Sequence, residues 1–301
     1  MREIRVGSRG SVLALLQTEY VINRLQESSD CRFIVVKIKT SGDDANKSPI
    51  SGSGVFEKEI DEALLRGEID LAVHSMKDVP TSLPDGVSIV AVPQRISPCD
   101  AFVSNKQIPL NLLPKGASIG TSSLRRAAQI KCFKNDLNIL PLRGNIDTRL
   151  RRLMEGKYDG IVVAEAALIR LGFKGKWEQM PIEIFPTSPG QGALAVTARS
   201  QDSYVRSLTS RINSPDAMEE ILTERAFIQR IKSGCSAPIG FTARISGNFL
   251  KVVCGFYATD GSRSKVMQFS FPRGSPNYLG VKIAEMVMSD RELRWFWEGF
   301  G

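Results

Sequence analysis

The chain has 301 residues, 42% of them hydrophobic, with 40 Lys and Arg against 32 Asp and Glu, for a formal charge of +8. That length supports two or three domains with cores of their own, and no internal repeat, low-complexity tract or coiled coil interrupts it. No apolar run approaches the roughly 20 residues of a membrane helix, and the opening Met1–Val6 stretch has no signal-peptide core, so a cytosolic protein is expected.

The alternation of apolar and polar residues predicts a strand over Arg2–Val6 and a helix over Ser11–Gln26, with Leu13, Leu16, Tyr20, Val21 and Leu25 on one face. Arg32–Lys39 reads as a β-branched strand. Ser41–Phe56, rich in Gly, Ser and Asp, reads as a mobile loop, and Glu57–Arg66 as a helix. Strands follow at Asp70–His74, Val87–Val92, Ala101–Ser104 and Ser118–Gly120, the last breaking into Thr121-Ser122-Ser123 and a helix. Asn138–Leu142 is a strand, followed by a helix through Leu153. Gly160–Ala164 is a strand followed by the helix Glu165–Leu171. Strands alternating with helices indicate mostly parallel sheets covered by helices.

Pro186-Thr187-Ser188-Pro189-Gly190 breaks this pattern, and Ala193–Ala198 is another strand. Ser214-Pro215 opens a helix to about Lys232: the serine caps, the proline suits the first turn, and Gly234 stops it. Phe241–Arg244, Phe249–Phe256 and Ser264–Phe271 read as antiparallel strands, closed by a helix at Gly280–Met288, which makes a separate C-terminal α+β domain.

The five cysteines are scattered, none in a C-x-x-C pair, and His74 is the only histidine, so neither a disulfide framework nor a metal site is expected. Between Ala117 and Arg152, eight basic residues face two acids, which places most of the surplus charge in one segment and implies an anionic partner. Three strand ends share one plan. Arg5-Val6 leads to Gly7-Ser8-Arg9-Gly10-Ser11, Ile119-Gly120 to Thr121-Ser122-Ser123-Leu124-Arg125-Arg126, and Pro141-Leu142 to Arg143-Gly144-Asn145 with Arg149 one turn on. Each sets hydroxyls or glycines and an arginine at a helix start, where free N–H groups and the helix dipole favour an anion and the guanidinium fork matches a carboxylate or phosphate. These arginines are expected to converge in a cleft. No P-loop occurs, and Gly190–Ala195, a formal G-x-G-x-x-A, leads into a strand, the wrong context for a dinucleotide.

A fourth strand end is richer still. After Ile69–Val73 come His74-Ser75-Met76-Lys77-Asp78-Val79-Pro80, an imidazole, a hydroxyl, an ammonium and a carboxylate at the place where α/β folds bind ligands. Cys235 follows Gly234 at a helix C-terminus, whose negative partial charge disfavours a thiolate. It reads either as a buried structural thiol or as a permanent covalent attachment point.

These motifs together resemble the porphobilinogen deaminase (hydroxymethylbilane synthase) family along essentially the whole chain: HSMKDVP at 74–80, DAFVS at 100–104, GTSSLRR at 120–126, LRGN-x-x-TRL at 142–150, GQGA at 190–193 and GC-x-x-PIG at 234–240. The resemblance implies two lobes like type II periplasmic binding proteins, at 1–95 with 193–212 and at 99–190, plus a cofactor-carrying domain at 216–301. It implies an enzyme that joins four porphobilinogen units head to tail with loss of ammonia, growing the chain on a dipyrromethane joined by thioether to Cys235, then hydrolyses off hydroxymethylbilane. Asp78 would be the central catalytic group, and Lys77 beside it a catalytic residue as well. Ser75, Lys58, Asp43, Thr121, Ser123, Arg125, Arg126 and Gly144 would hold the cofactor. Arg9, Ser11, Arg143, Arg149, Arg170 and Gln191 would hold the substrate chain, a polycarboxylate. The 41–56 loop would act as a lid. A monomer is implied, with uroporphyrinogen III synthase next in line for the product. The sequence departs from the family at Gly52-Ser53-Gly54, at Pro98-Cys99 before Asp100, and at Ser233-Gly234-Cys235, which removes two cations and alters lid contacts. A solute-sensing module of the same two-lobed fold would explain the arginines but gives Asp78, Cys235 and the third domain no role, and nucleic-acid binding would explain only the charge.

Overall fold

A computed structural model describes residues 1–40, 58–232 and 237–299. In chain order these form β1 (Glu3–Ser8), α1 (Val12–Gln26), β2 (Arg32–Lys37), α2 (Lys58–Leu65), β3 (Leu71–Ser75) and β4 (Val87–Ala91). Then come β5 (Asp100–Ser104), β6 (Ser118–Gly120), α3 (Leu124–Phe133), β7 (Asn138–Leu140), α4 (Ile146–Met154), β8 (Gly160–Ala164), α5 (Glu165–Arg170) and β9 (Glu178–Met180). The remainder is β10 (Leu194–Arg199), α6 (Ser203–Ser210), α7 (Pro215–Ile231), β11 (Ile239–Ser246), β12 (Phe249–Tyr257), β13 (Ser264–Pro272), α8 (Pro276–Met288) and α9 (Arg294–Glu298).

The fold is α/β with a C-terminal antiparallel sheet, and it divides into two compact units. One comprises Met1–Ile96 with Gly192–Ile221, the other Ser97–Gln191 with Leu222–Gly301. The first is built on the five-stranded sheet β2-β1-β3-β10-β4, the second on β7-β6-β8-β5-β9 and the three-stranded sheet β11-β12-β13. Both five-stranded sheets follow one plan. Three parallel strands lie side by side, then a single antiparallel strand, then an edge strand paired to it. The antiparallel strand, β10 or β5, is in each case the first strand after the chain passes from one unit's residues to the other's. Parallel order puts the C-terminal ends of β1 and β3 at one edge of the first sheet, and those of β6, β7 and β8 at one edge of the second.

Burial follows from composition. Strand β8, Gly160-Ile161-Val162-Val163-Ala164, is buried throughout, as a central strand covered on both faces must be. In the C-terminal sheet the inward residues Phe241, Ala243, Leu250, Val252, Cys254 and Phe256 pack against Phe227, Ile283 and Val287 from α7 and α8. Phe227 and Phe241 stack with ring centroids 3.8 Å apart. Burying each such side chain contributes about 1.5–3 kcal/mol.

The cap expected at Ser214 is present, its Oγ accepting from Ala217 N at 3.3 Å, and Ser11 Oγ caps α1 in the same way, accepting from Ala14 N at 3.3 Å. Two differences are informative. Helix α8 begins at Pro276, not Gly280, because the proline suits a first turn. Gly280 lies inside the helix, where a Cβ would strike the Thr223 carbonyl of α7. The short elements β9, α6 and α9 were not predicted: three to eight residues carry too little periodicity to read. The 41–56 loop lies outside the described residues.

Candidate active site

In the first unit, β3 delivers its polar end through a 3-10 turn over Met76–Asp78. Met76 N donates to Ala193 O at 3.1 Å, and Val79 N donates to Met76 O at 3.1 Å to close the turn. Met76 and Val79 are buried with Val92, Ala193 and Ile221, so apolar anchors stand on both sides of Lys77 and Asp78. Those two are left half-buried between them. Among the described residues the Asp78 carboxylate makes no hydrogen bond or ion pair. A carboxylate fixed at its backbone and uncommitted at its oxygens can work on a ligand.

Ser75, just before the turn, is held by Gln17 of α1. Gln17 Nε2 lies 3.0 Å from Ser75 Oγ, which lies 3.2 Å from Gln17 Oε1. The next residue of α1, Thr18, donates to Ser8 Oγ at 2.8 Å at the end of β1. Helix α1 therefore ties together the two strand ends that carry Arg9 and Asp78. Ser11 serves as the α1 cap, Arg9 is half-buried, and Lys58 stands exposed at the start of α2. His74 points elsewhere, its Nε2 3.0 Å from Thr197 Oγ1 in the neighbouring strand β10, and it is buried.

In the second unit, Thr121, Ser122 and Ser123 leave β6 as a hydroxyl run. Thr121 Oγ1 accepts from Ser123 N at 3.2 Å, Ser122 Oγ from Leu142 N at 3.0 Å, and Ser123 Oγ caps α3 by accepting from Arg126 N at 3.4 Å. Sequence reasoning treated Arg125 and Arg126 as countercharge for a ligand and missed their partner within the chain. Both are buried and turned onto Asp100, the first residue of DAFVS. Arg126 Nη2 donates to Asp100 Oδ1 at 2.6 Å and Arg125 Nη1 to Asp100 Oδ2 at 2.9 Å. Gln191 completes the group, its Nε2 donating to Asp100 Oδ1 at 2.9 Å and to Pro98 O at 2.8 Å. Burial pushes the Asp100 carboxyl upward, but the two guanidinia and Gln191 outweigh it and hold it well below the usual carboxylate range. The signal available in the sequence was an aspartate opening an otherwise apolar strand. Two cations against one carboxylate leave this cluster positive.

Arg143 is different: exposed, and among the described residues its guanidinium makes no hydrogen bond or ion pair. Its backbone is braced, since Arg152 Nη1 donates to Arg143 O at 3.3 Å and Arg149 Nε to Gly144 O at 2.7 Å. Gly144 has φ 106°, a value that requires glycine. Arg170 ends α5, half-buried. The β6 and β7 strand ends thus present hydroxyls, a buried arginine pair and one open arginine on the same edge of the sheet.

Comparison with known proteins decides the family. A family model described as porphobilinogen deaminase, dipyromethane cofactor binding domain, matches residues 4–207, and one described as porphobilinogen deaminase, C-terminal domain, matches residues 218–289. The chain belongs to the porphobilinogen deaminase family. It is 41% identical over 295 residues to the porphobilinogen deaminase of Geobacter sulfurreducens, covering 96% of this chain and 92% of that one. It is 42% identical over 299 residues to that of Listeria welshimeri, covering 96% of each. Among solved structures, substrate binding domain 2 of Lactococcus lactis GlnP in the open conformation aligns with a TM-score of 0.44 at 12% identity, over 71% of this chain and 87% of that one. Porphobilinogen deaminases are transferases, and the larger matched region is their cofactor-binding domain.

Of the family residues expected from sequence, Asp43 and Cys235 lie outside the described residues. Cys254 is buried, its thiol pushed up to about 12 by burial, and burial also raises the Cys99 thiol. Among the described residues no helix is long and apolar enough to cross a membrane.

Proposed function

We propose that this chain joins four porphobilinogen units head to tail, releasing one ammonia at each addition, on a dipyrromethane bound through Cys235, and then hydrolyses the product off as hydroxymethylbilane. The observation that carries the reading is Asp78, a half-buried and uncommitted carboxylate at the end of β3 in a chain of this family.

The residues present suit such a cofactor. Dipyrromethane bears acetate and propionate groups, and Arg143 is an open cation. Thr121 and Ser123 each accept from a backbone N–H and keep their own proton to donate. Gly144 lets the backbone beside Arg143 turn where a side chain would be strained. When bound, dipyrromethane supplies a nucleophilic pyrrole α-carbon and a covalent anchor.

Asp78 acts on the substrate. Its carboxyl passes a proton to the aminomethyl nitrogen of porphobilinogen as the carbon–nitrogen bond breaks, so ammonia leaves neutral. The carboxylate that remains faces the positive charge spread over the ring and stabilises it. As the new carbon–carbon bond forms, the α-proton displaced by it returns to Asp78, which restores the starting state. Lys77, beside it in the same turn, acts with it at the reacting centre, and Arg9 and Ser11 at the end of β1 hold the carboxylates of the reacting unit. Arg143, Arg149 and Arg170 hold those of the chain already made, Gln191, Arg125 and Arg126 support the site from behind through Asp100, and Ser75, Lys58 and Asp43 complete the cofactor's setting. Three domains, at 1–95 with 193–212, at 99–190 and at 216–301, divide this work in a cytoplasmic monomer whose product passes to uroporphyrinogen III synthase.

Intact mass of purified protein tests the reading. We expect the chain to be heavier than its sequence by one dipyrromethane, with the excess on Cys235, and a Cys235→Ser variant to lack both adduct and activity. Active enzyme of unmodified mass would sink the assignment.

A further inference from the structure

The turn that carries Gln191 is held by a residue no motif singled out. Strand β11 is an edge of its sheet, and its outward amides are covered by the segment 187–190. Phe241 N donates to Thr187 O at 2.8 Å, and Thr187 N donates to Thr242 Oγ1 at 3.0 Å. Two residues further along the edge the geometry changes. Ala243 N and Gly190 N are both donors and cannot bond each other. Glu224 of α7 bridges them: Oε1 accepts from Ala243 N at 2.8 Å and Oε2 accepts from Gly190 N at 2.6 Å. Glu224 is fully buried, and each carboxylate oxygen takes one main-chain N–H. A neutral side chain cannot repeat this. Glutamine offers one acceptor oxygen, and its NH₂ would meet the second N–H as donor against donor.

Gly190 has φ 79°, so its amide direction is set by a left-handed turn, and the next residue is Gln191. Gln191 is itself buried, donates to Asp100 Oδ1, and accepts from Arg126 Nη2 at 3.3 Å. A continuous path therefore runs from Glu224 through Gly190 and Gln191 to Asp100 and the two arginines. Its other arm ends on β11, the strand of the PIG motif, where a Cβ on Gly240 would strike the Pro186 carbonyl. Strand and turn are packed too closely to shift independently.

We infer that Glu224 is a positioning residue for the reaction: by stapling the Gly190 turn to β11 it sets Gln191, and through Gln191 the Asp100–Arg126 pair that anchors the first turn of α3, where Thr121 and Ser123 present their hydroxyls. The inference rests on the function proposed above, with Thr121 and Ser123 at the start of α3 as part of the cofactor's setting.

The test compares Glu224→Gln, Gln191→Ala and the double variant in full-length enzyme as isolated. Wild-type adduct mass and porphobilinogen consumption are measured first, and they test the activity alone. For Glu224→Gln we expect folded protein with KM for porphobilinogen raised about 5-fold or more and kcat changed far less, and a double variant no worse than Gln191→Ala, because neighbours on one path are not additive. Penalties that multiply, or a lowered melting temperature with KM unchanged, would overturn it and leave Glu224 a stability residue. Should Glu224→Gln fail to fold, Glu224→Asp keeps both acceptors on a shorter stem and should raise KM less than Gln191→Ala does; a larger rise sinks the idea. Amide exchange in the wild type reads the staple directly, whatever the activity. Gly190 N–H should exchange as slowly as the β11 amides, and exchange at the rate of an open loop refutes the bridge.

Discussion

Asp100 Oδ1 lies 2.6 Å from Arg126 Nη2, with the Asp100 side chain wholly buried and that of Arg126 8% exposed. The pair, joined by Arg125 at 2.9 Å, sits where β5 begins and α3 starts. One carboxylate thus locks two arginines that a reader of the sequence would leave open to a ligand. Removing it strands two buried cations. We expect Asp100→Asn to cost about 3–5 kcal/mol, as for breaking a buried ion pair from one side. Urea unfolding monitored by circular dichroism measures it, and a loss below 1 kcal/mol would show that the arginines find other partners.

The same group sets a pH dependence. The folded-state carboxyl of Asp100 is held below its usual range, so its stabilisation is present at all pH values above the ordinary aspartate value. It is lost as pH falls from there toward the folded-state value, because the unfolded chain then takes up the proton first. Stability measured from pH 7 to pH 3 should fall more steeply for the wild type than for Asp100→Asn. Parallel curves would remove Asp100 as the cause.

Asp78 makes no contact that its amide could not also make, so Asp78→Asn should fold with unchanged melting temperature and keep its adduct. It lacks the proton-carrying oxygen. A fall in turnover of at least ~100-fold is expected, the low end for a general acid–base group. Near-normal turnover would take Asp78 out of the mechanism.

Arg143 is exposed and free of protein partners among the described residues, so Arg143→Leu should leave stability within about 0.5 kcal/mol, the range for surface changes. Its effect should fall on ligands: a raised KM, or product that stalls before four units, seen by mass spectrometry of enzyme-bound chains. An unaltered product profile would make it an ordinary surface arginine.

His74 attracts attention as the only histidine, yet its ring bonds Thr197 across the β3–β10 pair. We expect His74→Phe to lower stability by about 1–3 kcal/mol, the cost of leaving a buried partner unsatisfied, with turnover within a factor of 3 at a temperature where the variant is folded. Loss of turnover without loss of stability would return His74 to the chemistry.

Much of the fold was legible because its signals are local. Apolar runs such as Ile161-Val162-Val163, the Ser214 cap and the punctuation at Pro186–Gly190 act within a few residues. The turn that carries Asp78 was legible for the same reason: a charged stretch directly after a buried strand. Glu224 was not. Its spacing in α7 is that of any glutamate on a helix, and its burial depends on β11 and the Gly190 turn arriving from elsewhere in the chain.

Charge shows the division most clearly. Composition alone determined that the segment from Ala117 to Arg152 is strongly basic, and that arginines stand at helix starts suited to anions. Only the tertiary structure decided which of them remain available: Arg125 and Arg126 are answered by Asp100, while Arg143 is not. An arginine's charge belongs to the residue and survives any fold. Its availability to a ligand depends on which acid the packing brings within hydrogen-bond reach, and Asp100 is 25 residues away along the chain from Arg125.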